Sequence, residues 1–167
     1  MKTINLDCYI VYNTEISSVY EDAELLKIEA IKIENGEIVN TFCSFINPNI
    51  KVNKEVLQIC NISKKDLLTA PKTIEVLTKF KEFIKDNLLI GYNQTLVDMP
   101  IINKSVSLQN HQIDLLKLIQ KHISLADYRI ATVCNYFNVK FDSDCKALYR
   151  IFEQVKNLVS KEDIVKL

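Results

Sequence analysis

Glycine and proline are scarce in this chain of 167 residues, which has two of the first and three of the second. With so few of the residues that break regular structure, we expect no flexible linker and a single domain spanning residues 1–167. The sequence also lacks an apolar run of membrane-spanning length and the apolar core of a signal peptide. These absences predict a cytoplasmic protein with no membrane partner and leave its oligomeric state open.

An excess of charge of either sign is missing as well. The 21 basic and 21 acidic side chains give a formal net charge of zero. A protein that holds nucleic acid mainly by neutralising phosphates usually has a basic excess, so this balance argues against strong non-specific binding. It does not argue against a metal-dependent nuclease, because the active site of such an enzyme is itself acidic.

Cysteines with the spacing of a metal site are absent. The five cysteines show no CxxC pair, and the two histidines lie far from any paired cysteines. We therefore expect reduced thiols that pack as small core residues, and no zinc site. These residues are Cys8, Cys43, Cys60, Cys134 and Cys145, with His111 and His122.

Strands are predicted first along the chain and helices afterwards. Apolar and alternating segments predict strands at residues 4–12, 25–33 and 38–46, and Asn35-Gly36 predicts a tight hairpin turn between the last two. Further short strands are predicted at 88–90 and 113–118, the second as a strand or a strand-to-helix junction. Helices are predicted at 54–59, 64–68, 71–84, 98–108, 125–137 and 144–158, from helical patterns with capping residues Asn53 and Ser63 and with Pro71 at a helix start. Residues 161–167 are expected to extend the last of these helices. This order predicts an α/β protein with a mixed sheet flanked by helices.

The first candidate site lies at the end of the first strand, where the sequence is Asn13-Thr14-Glu15. Two acidic residues at positions i and i+2 of a strand would place both carboxylates on one side of the sheet, where they could hold Mg²⁺. Here the first residue is an amide, which keeps the shape but loses the negative charge. Whether the chain is an enzyme depends on the rest of the site.

Several further segments share one resemblance. They are Asn35-Gly36-Glu37-Ile38-Val39, Asn47-Pro48, and the segments 60–71, 113–118 and 128–139. In their order and content they resemble the DnaQ-like (DEDD) 3′–5′ exonuclease family, which includes the proofreading epsilon subunit of DNA polymerase III. The resemblance covers roughly residues 6–158. It implies a ribonuclease H-like fold, in which a three-stranded antiparallel meander joins parallel strands.

The resemblance also implies an active site in which four carboxylates hold two metal ions and a histidine or tyrosine acts as general base. In this chain the corresponding positions are Asn13, Glu15, Asp98, Cys145 and Arg150. Two of the four carboxylates and the base are therefore replaced. Glu15 and Asp98 remain as metal ligands for a weak or absent site, so no cofactor is expected, or Mg²⁺ or Mn²⁺ if residual activity exists.

The second motif matches the segment 91–100 and allows two alignments. One places Asp98 at the acidic position, and the shorter spacing places Val97 there. Asp98 is preferred because Pro100 then falls into register. In the same segment, Tyr92 and Asn93 are candidate nucleic-acid contacts.

Three functional hypotheses follow. The first is a catalytically impaired exonuclease domain, a pseudoenzyme that binds a single-stranded 3′ end or a replication or repair protein. In this case Arg150 would pair with Glu15 or Asp98 in the vacated metal position. The second is an active, divergent Mg²⁺- or Mn²⁺-dependent 3′–5′ exonuclease on single-stranded DNA or RNA, with Tyr149 and Glu153 completing the site. The third is an unrelated α/β interaction protein that matches by chance.

Overall fold

A computed structural model describes residues 5–20 and 22–165 of the chain. In this part the strands are β1 (Cys8–Ile16), β2 (Leu25–Glu34), β3 (Glu37–Phe45), β4 (Leu88–Gly91) and β5 (Gln112–Asp114). The helices are α1 (Lys54–Ile59), α2 (Lys64–Thr69), α3 (Thr73–Ile84), α4 (Asp98–Asn103), α5 (Leu115–His122), α6 (Ile130–Tyr136), α7 (Asp144–Leu158) and α8 (Lys161–Val165). None of the helices within these ranges is long and apolar enough to cross a membrane.

The five strands of the described region form one mixed sheet in the order β3-β2-β1-β4-β5. Strands β1, β2 and β3 are an antiparallel meander, whereas β4 pairs with β1 in parallel and β5 pairs with β4 in parallel. The predicted mixed sheet flanked by helices is therefore confirmed. Because β1 lies at the centre, the polar residues at its end are surrounded by other elements.

The predicted hairpin between β2 and β3 is confirmed, since Asn35 and Gly36 have φ angles of 52° and 79°. Both lie in the left-handed region that an Asn-Gly turn supplies at low cost. The first strand was predicted to end at residue 12 but continues to Ile16. Antiparallel pairing with β2 extends that far, and it carries the polar Asn13-Thr14-Glu15 segment as strand rather than loop. Residue 4, where this strand was predicted to begin, lies outside the described residues.

Two predicted helices are shorter than expected. The helix predicted at 98–108 ends at Asn103, and the one predicted at 125–137 begins only at Ile130. The carboxylate of Asp127 accepts hydrogen bonds from the Arg129 amide at 3.0 Å and from the Thr132 hydroxyl at 2.6 Å. This short polar side chain bonds to nearby groups and stabilises a turn in place of the first helical turn.

Other helix ends differ in smaller ways. Ser63 caps α2 through a capping box with Asp66, as predicted, whereas the Asn53 side chain makes no capping bond. Helix α3 begins two residues after Pro71. Residues 161–167 were expected to extend α7, but α7 ends at Leu158 and Lys161–Val165 form a separate helix, α8. Residues 166–167 lie outside the described part.

Alternation along β1 divides the core into two layers. Tyr9 and Val11 face α5, α6 and α7, whereas Ile10 and Tyr12 face α3 and α4. Since side chains of a strand alternate, Asn13 and Glu15 continue on the α7 side. Thr14 continues on the α4 side. The end of β1 is thus the place where groups from both layers meet.

Candidate functional site

The amide of Asn13 is held by an acidic residue that the sequence comparison of motifs did not identify. Its Nδ2 donates a hydrogen bond of 3.1 Å to Oδ2 of Asp144, the first residue of α7. Ser143 caps this helix by accepting from the Lys146 amide, which fixes where α7 starts beside the strand. Asn13 therefore acts as a hydrogen-bond donor to a carboxylate. An aspartate there would place two negative charges in contact.

Glu15 lies on the same side of β1 as Asn13 and is about half buried. Its carboxylate accepts a hydrogen bond from the thiol of Cys60, the residue that directly follows α1. Burial raises the pKa of Glu15, and the charges of Asp144 and Glu29 add to this effect. Burial and the bond to Glu15 also raise the pKa of the Cys60 thiol to about 12, so the thiol stays protonated as a donor.

Asp98 is buried at the start of α4 and reaches the other side of β1. Its carboxylate accepts a hydrogen bond from the Thr14 hydroxyl. Burial raises the pKa of Asp98 to about 6, although the bond from Thr14 opposes this, and the charges of Asp114 and Glu15 raise it further. Asp98 therefore points towards the end of β1, close enough to feel the charge of Glu15. Val97, the alternative position, is the residue before the helix.

Cys145, at the position of the family's general base, is buried with 2% of its surface exposed. Its Sγ donates to the carbonyl oxygen of Glu29 at 3.5 Å, and burial raises its pKa well above the ordinary value of a thiol. A thiol that stays protonated and is shielded from water cannot accept a proton from a nucleophilic water. Cys145 packs as a core residue in this structure.

Arg150 does not contact Glu15 or Asp98, so the ion pair predicted with either of them is wrong. Its guanidinium forms two hydrogen bonds with the Asp142 carboxylate, at 2.7 and 3.0 Å, and a third with the Lys140 carbonyl at 2.9 Å. These partners lie in the loop before α7, so the Arg150 side of the helix faces that loop and solvent. The interaction fixes the loop rather than the end of β1.

Glu153 and Tyr149 do not complete an alternative site either. Glu153 accepts a hydrogen bond from the Tyr9 hydroxyl and pairs with Lys156. Helix α7 runs antiparallel to β1, so Glu153 lies beside Tyr9, four strand residues or about 13 Å from Asn13. The Tyr149 hydroxyl donates to the carbonyl of Gly36 at 2.6 Å, in the β2–β3 turn. The structure therefore places neither Glu153 nor Tyr149 beside Asn13.

Tyr92 and Asn93, the candidate nucleic-acid contacts, follow β4. The Tyr92 hydroxyl donates to the carbonyl of Tyr128, and its ring packs against the core on the α5 side. Asn93 has a φ of 62°, and its backbone amide donates to Asp114 at 2.9 Å. Both residues thus stabilise the loop that leads from β4 to α4 and sets the position of Asp98.

Motif comparison missed the groups from β2 that surround Glu15. In the antiparallel register Lys27 lies opposite Glu15 and Glu29 opposite Asn13. The ammonium Nζ of Lys27 is 2.6 Å from Oε1 of Glu29. The signal was present in the sequence as two charged residues, Lys27 and Glu29, at alternate positions in the apolar first half of the strand. Only the register could show that they face the same point.

The side chains present do not fit a two-metal site. Such a site needs several carboxylates around one point to offset two dications. Among the residues of ranges 5–20 and 22–165, no three His, Cys, Asp or Glu side chains are arranged to hold a metal ion. Asn13 donates to Asp144, Glu15 accepts from Cys60, and Asp98 accepts from Thr14, so each of these three side chains has a partner within the protein.

A cleft of about 470 Å³ adjoins the end of β1. It lies between the loop after β1 and helix α4, and its walls are largely apolar. Tyr20 lines it and is 76% exposed. Its other walls include Ile16, Ala23, Leu96 and Pro100.

Comparisons with known proteins agree with this architecture. The family model described as exonuclease matches residues 10–152. The PolC-type DNA polymerase III of Caldanaerobacter subterraneus subsp. tengcongensis is 30% identical over an alignment of 169 positions, gaps included, that covers 93% of this chain and 12% of that protein. The PolC-type enzyme of Bacillus cereus is 29% identical over an alignment of 153 positions that covers 86% of this chain and 10% of that protein. The chain thus spans only about a tenth of the length of these curated relatives.

Solved structures show the same fold. Exonuclease X in complex with 5′ overhanging duplex DNA superposes with a TM-score of 0.79, at 13% identity, over 95% of this chain and 98% of that one. Exonuclease I in its apo form gives a TM-score of 0.79 at 12% identity, over 97% of this chain and 44% of the other. The predicted ribonuclease H-like fold is confirmed.

Proposed function

Because this chain belongs to the exonuclease family, as a DnaQ-like 3′–5′ member, we propose that it is a non-catalytic binding module. It keeps the fold and the cleft of a nuclease but does not hydrolyse phosphodiester bonds. Its ligand is the end of a single nucleic-acid strand. A replication or repair protein is the second candidate partner, since the curated relatives are DNA polymerases of which this segment is about a tenth.

The observation that carries the proposal is the bond between Asn13 and Asp144. In the family, the position of Asn13 supplies a carboxylate that bridges the metals. Here the side chain is neutral and its amide is turned to a carboxylate of α7. The base position is a buried, protonated thiol at Cys145. No described group near the end of β1 is arranged to hold the metals, and none at the base position can accept the proton.

The cleft beside β1 supports nucleic-acid binding. Nucleobases stack on exposed aromatic rings whatever their sequence, and Tyr20 offers such a ring at the cleft wall. The balanced charge of the chain implies that phosphate contacts contribute little, so binding should be weak and only modestly sensitive to salt.

Trimming of labelled single-stranded DNA and RNA tests the absence of catalysis. Wild-type protein and Glu15→Ala are incubated with each substrate in Mg²⁺ and in Mn²⁺. We expect intact substrate in every lane and no difference between the two proteins. Metal-dependent shortening from the 3′ end that Glu15→Ala abolishes would overturn the proposal.

Fluorescence anisotropy with a labelled oligo-dT strand, in the presence of EDTA, tests binding. Tyr20→Ala should weaken binding by about fivefold or more, the effect of losing one stacked base. Tyr136→Ala is the matched control, because Tyr136 is also exposed but lies on α6. Equal affinities of the two variants would contradict the assignment of the cleft, and a lack of binding by the wild type would favour a protein partner.

A further inference from the structure

Three carboxylates lie near one lysine at the end of β1, and one of them, Glu29, forms an ion pair with it. Glu15 projects from β1 and Glu29 from β2, and Asp144 approaches from the first turn of α7. Lys27 lies directly opposite Glu15 in the register and two residues from Glu29 on the same side of β2. Each of these carboxylates belongs to a different element, so the fold itself gathers them.

The ammonium of Lys27 is held from several directions. Its Nζ is 2.6 Å from Oε1 of Glu29 and 5.7 Å from the centre of the Phe45 ring. Burial alone would lower the pKa of Lys27, but its bond with Glu29 and the nearby charge of Glu15 keep it above the ordinary value. In turn, the charge of Lys27 lowers the pKa values of Glu15 and Asp144, both of which burial raises.

An ordinary surface pair on the same strand provides the contrast. Lys32 and Glu34 have the same spacing as Lys27 and Glu29, and their charged atoms are 2.5 Å apart. Lys32 is influenced by Glu34 and Cys8 and by no second carboxylate. Lys27 differs because carboxylates from two strands act on it, Glu29 on β2 and Glu15 on β1, and Glu15 corresponds to one of the family's metal ligands.

We propose that Lys27 is the built-in cation of this site and takes the place of a divalent metal ion. Its ammonium partly neutralises Glu15, Glu29 and Asp144, and it repels any dication that approaches them. The inference rests on the proposed non-catalytic function and explains it further. The site lost metal binding through an added positive charge on β2 as well as through the lost carboxylate at Asn13.

The test is to remove the charge and measure binding of Mn²⁺ alone. Lys27→Met keeps the length of the side chain without its charge, Lys27→Arg keeps the charge, and Lys32→Met is the matched control. Isothermal titration calorimetry and thermal melting, each with Mn²⁺ and with EDTA, give the readout. Without Lys27, the Glu29 carboxylate that it now holds is free to turn towards Glu15 and Asp144. We therefore expect Lys27→Met to bind Mn²⁺ at least tenfold more tightly than the wild type and to melt higher in Mn²⁺ than in EDTA. Lys27→Arg and Lys32→Met should behave as the wild type does.

A second substitution keeps the test decisive. Adding Glu29→Gln to Lys27→Met should abolish the gained Mn²⁺ affinity, because it removes one of the carboxylates that Lys27 neutralises in the wild type. If Lys27→Met is unfolded in EDTA but folds when Mn²⁺ is added, the result supports the inference. If it is unfolded in both conditions, the same Mn²⁺ titration is carried out with Lys27→Gln. Equal Mn²⁺ affinity of the wild type and the folded charge-removed variant would overturn the role of Lys27. That result would leave the non-catalytic function standing, whereas trimming by the wild type would overturn that function first.

Discussion

The side-chain amide of Asn13 donates a 3.1 Å hydrogen bond to the carboxylate of Asp144. This contact joins the end of the central strand to the start of α7, two elements that are 131 positions apart in the chain. A neutral donor at residue 13 suits an acidic partner, since an aspartate there would meet Asp144 as a like charge. The substitution in the first motif and the acid in the last helix therefore form one compatible pair.

Asn13→Asp should destabilise the protein. It replaces a hydrogen bond by two carboxylates in contact within a half-buried region, and we expect the free energy of unfolding in urea at neutral pH to fall by about 1–3 kcal/mol. Asn40→Asp on the exposed strand β3 is the matched control and should change stability little. Adding Asp144→Asn to Asn13→Asp should restore most of the loss. Equal effects of Asn13→Asp with and without Asp144→Asn would contradict the pairing.

The ion pair between Arg150 and Asp142 predicts a specific pH dependence. The hydrogen bonds from Arg150 hold the pKa of Asp142 at about 2, below its usual value of 3.8. A depressed pKa in the folded state stabilises the protein above the unfolded value, and this contribution is lost as pH falls through about 2. Arg150→Gln should therefore raise the pKa of Asp142 towards 3.8, as an NMR titration of its carboxyl carbon would show.

Arg129→Gln provides the control for this titration. Arg129 pairs with Asp127, so its replacement should move the pKa of Asp127 and leave that of Asp142 unchanged. If Arg150→Gln instead changed the titration of Glu15 or Asp98 and left Asp142 unaffected, Arg150 would lie at the end of β1 after all.

Glu153 should be important for stability and irrelevant to any chemistry. Its carboxylate accepts from the Tyr9 hydroxyl inside the core, so Glu153→Ala leaves a buried donor without a partner. We expect a loss of about 1–3 kcal/mol in chemical denaturation, and a smaller loss when Tyr9→Phe is already present. Strictly additive effects of the two substitutions would show that the contact contributes nothing.

Local patterns predicted most of the architecture. The Asn35-Gly36 turn, the capping box at Ser63 and the limits of α7 all depend on a few neighbouring residues, and the structure confirms them. The helix expected at 125–137 was too long because Asp127 bonds to nearby groups and holds a turn. Periodicity carries no information about such a side chain.

The candidate site was harder to predict. Which side chains meet there depends on the register between β1 and β2 and on which face of α7 packs against the sheet. Motif spacing placed Arg150 in the cleft, but the loop before α7 supplies Asp142 as a closer partner. Asp144 was overlooked because it precedes the motif by one residue, and Lys27 because it belongs to none. Both became visible once the pairing of β1 with β2 and the start of α7 were known.

A crystal soaked in millimolar Mn²⁺ would show whether the end of β1 can hold a metal ion, because manganese can be located by its anomalous scattering. We expect no anomalous peak at the end of β1, with Lys27 still paired to Glu29 and Asn13 still bonded to Asp144. A manganese ion bound by Glu15 and Asp98, with Lys27 or Asn13 displaced, would contradict this expectation.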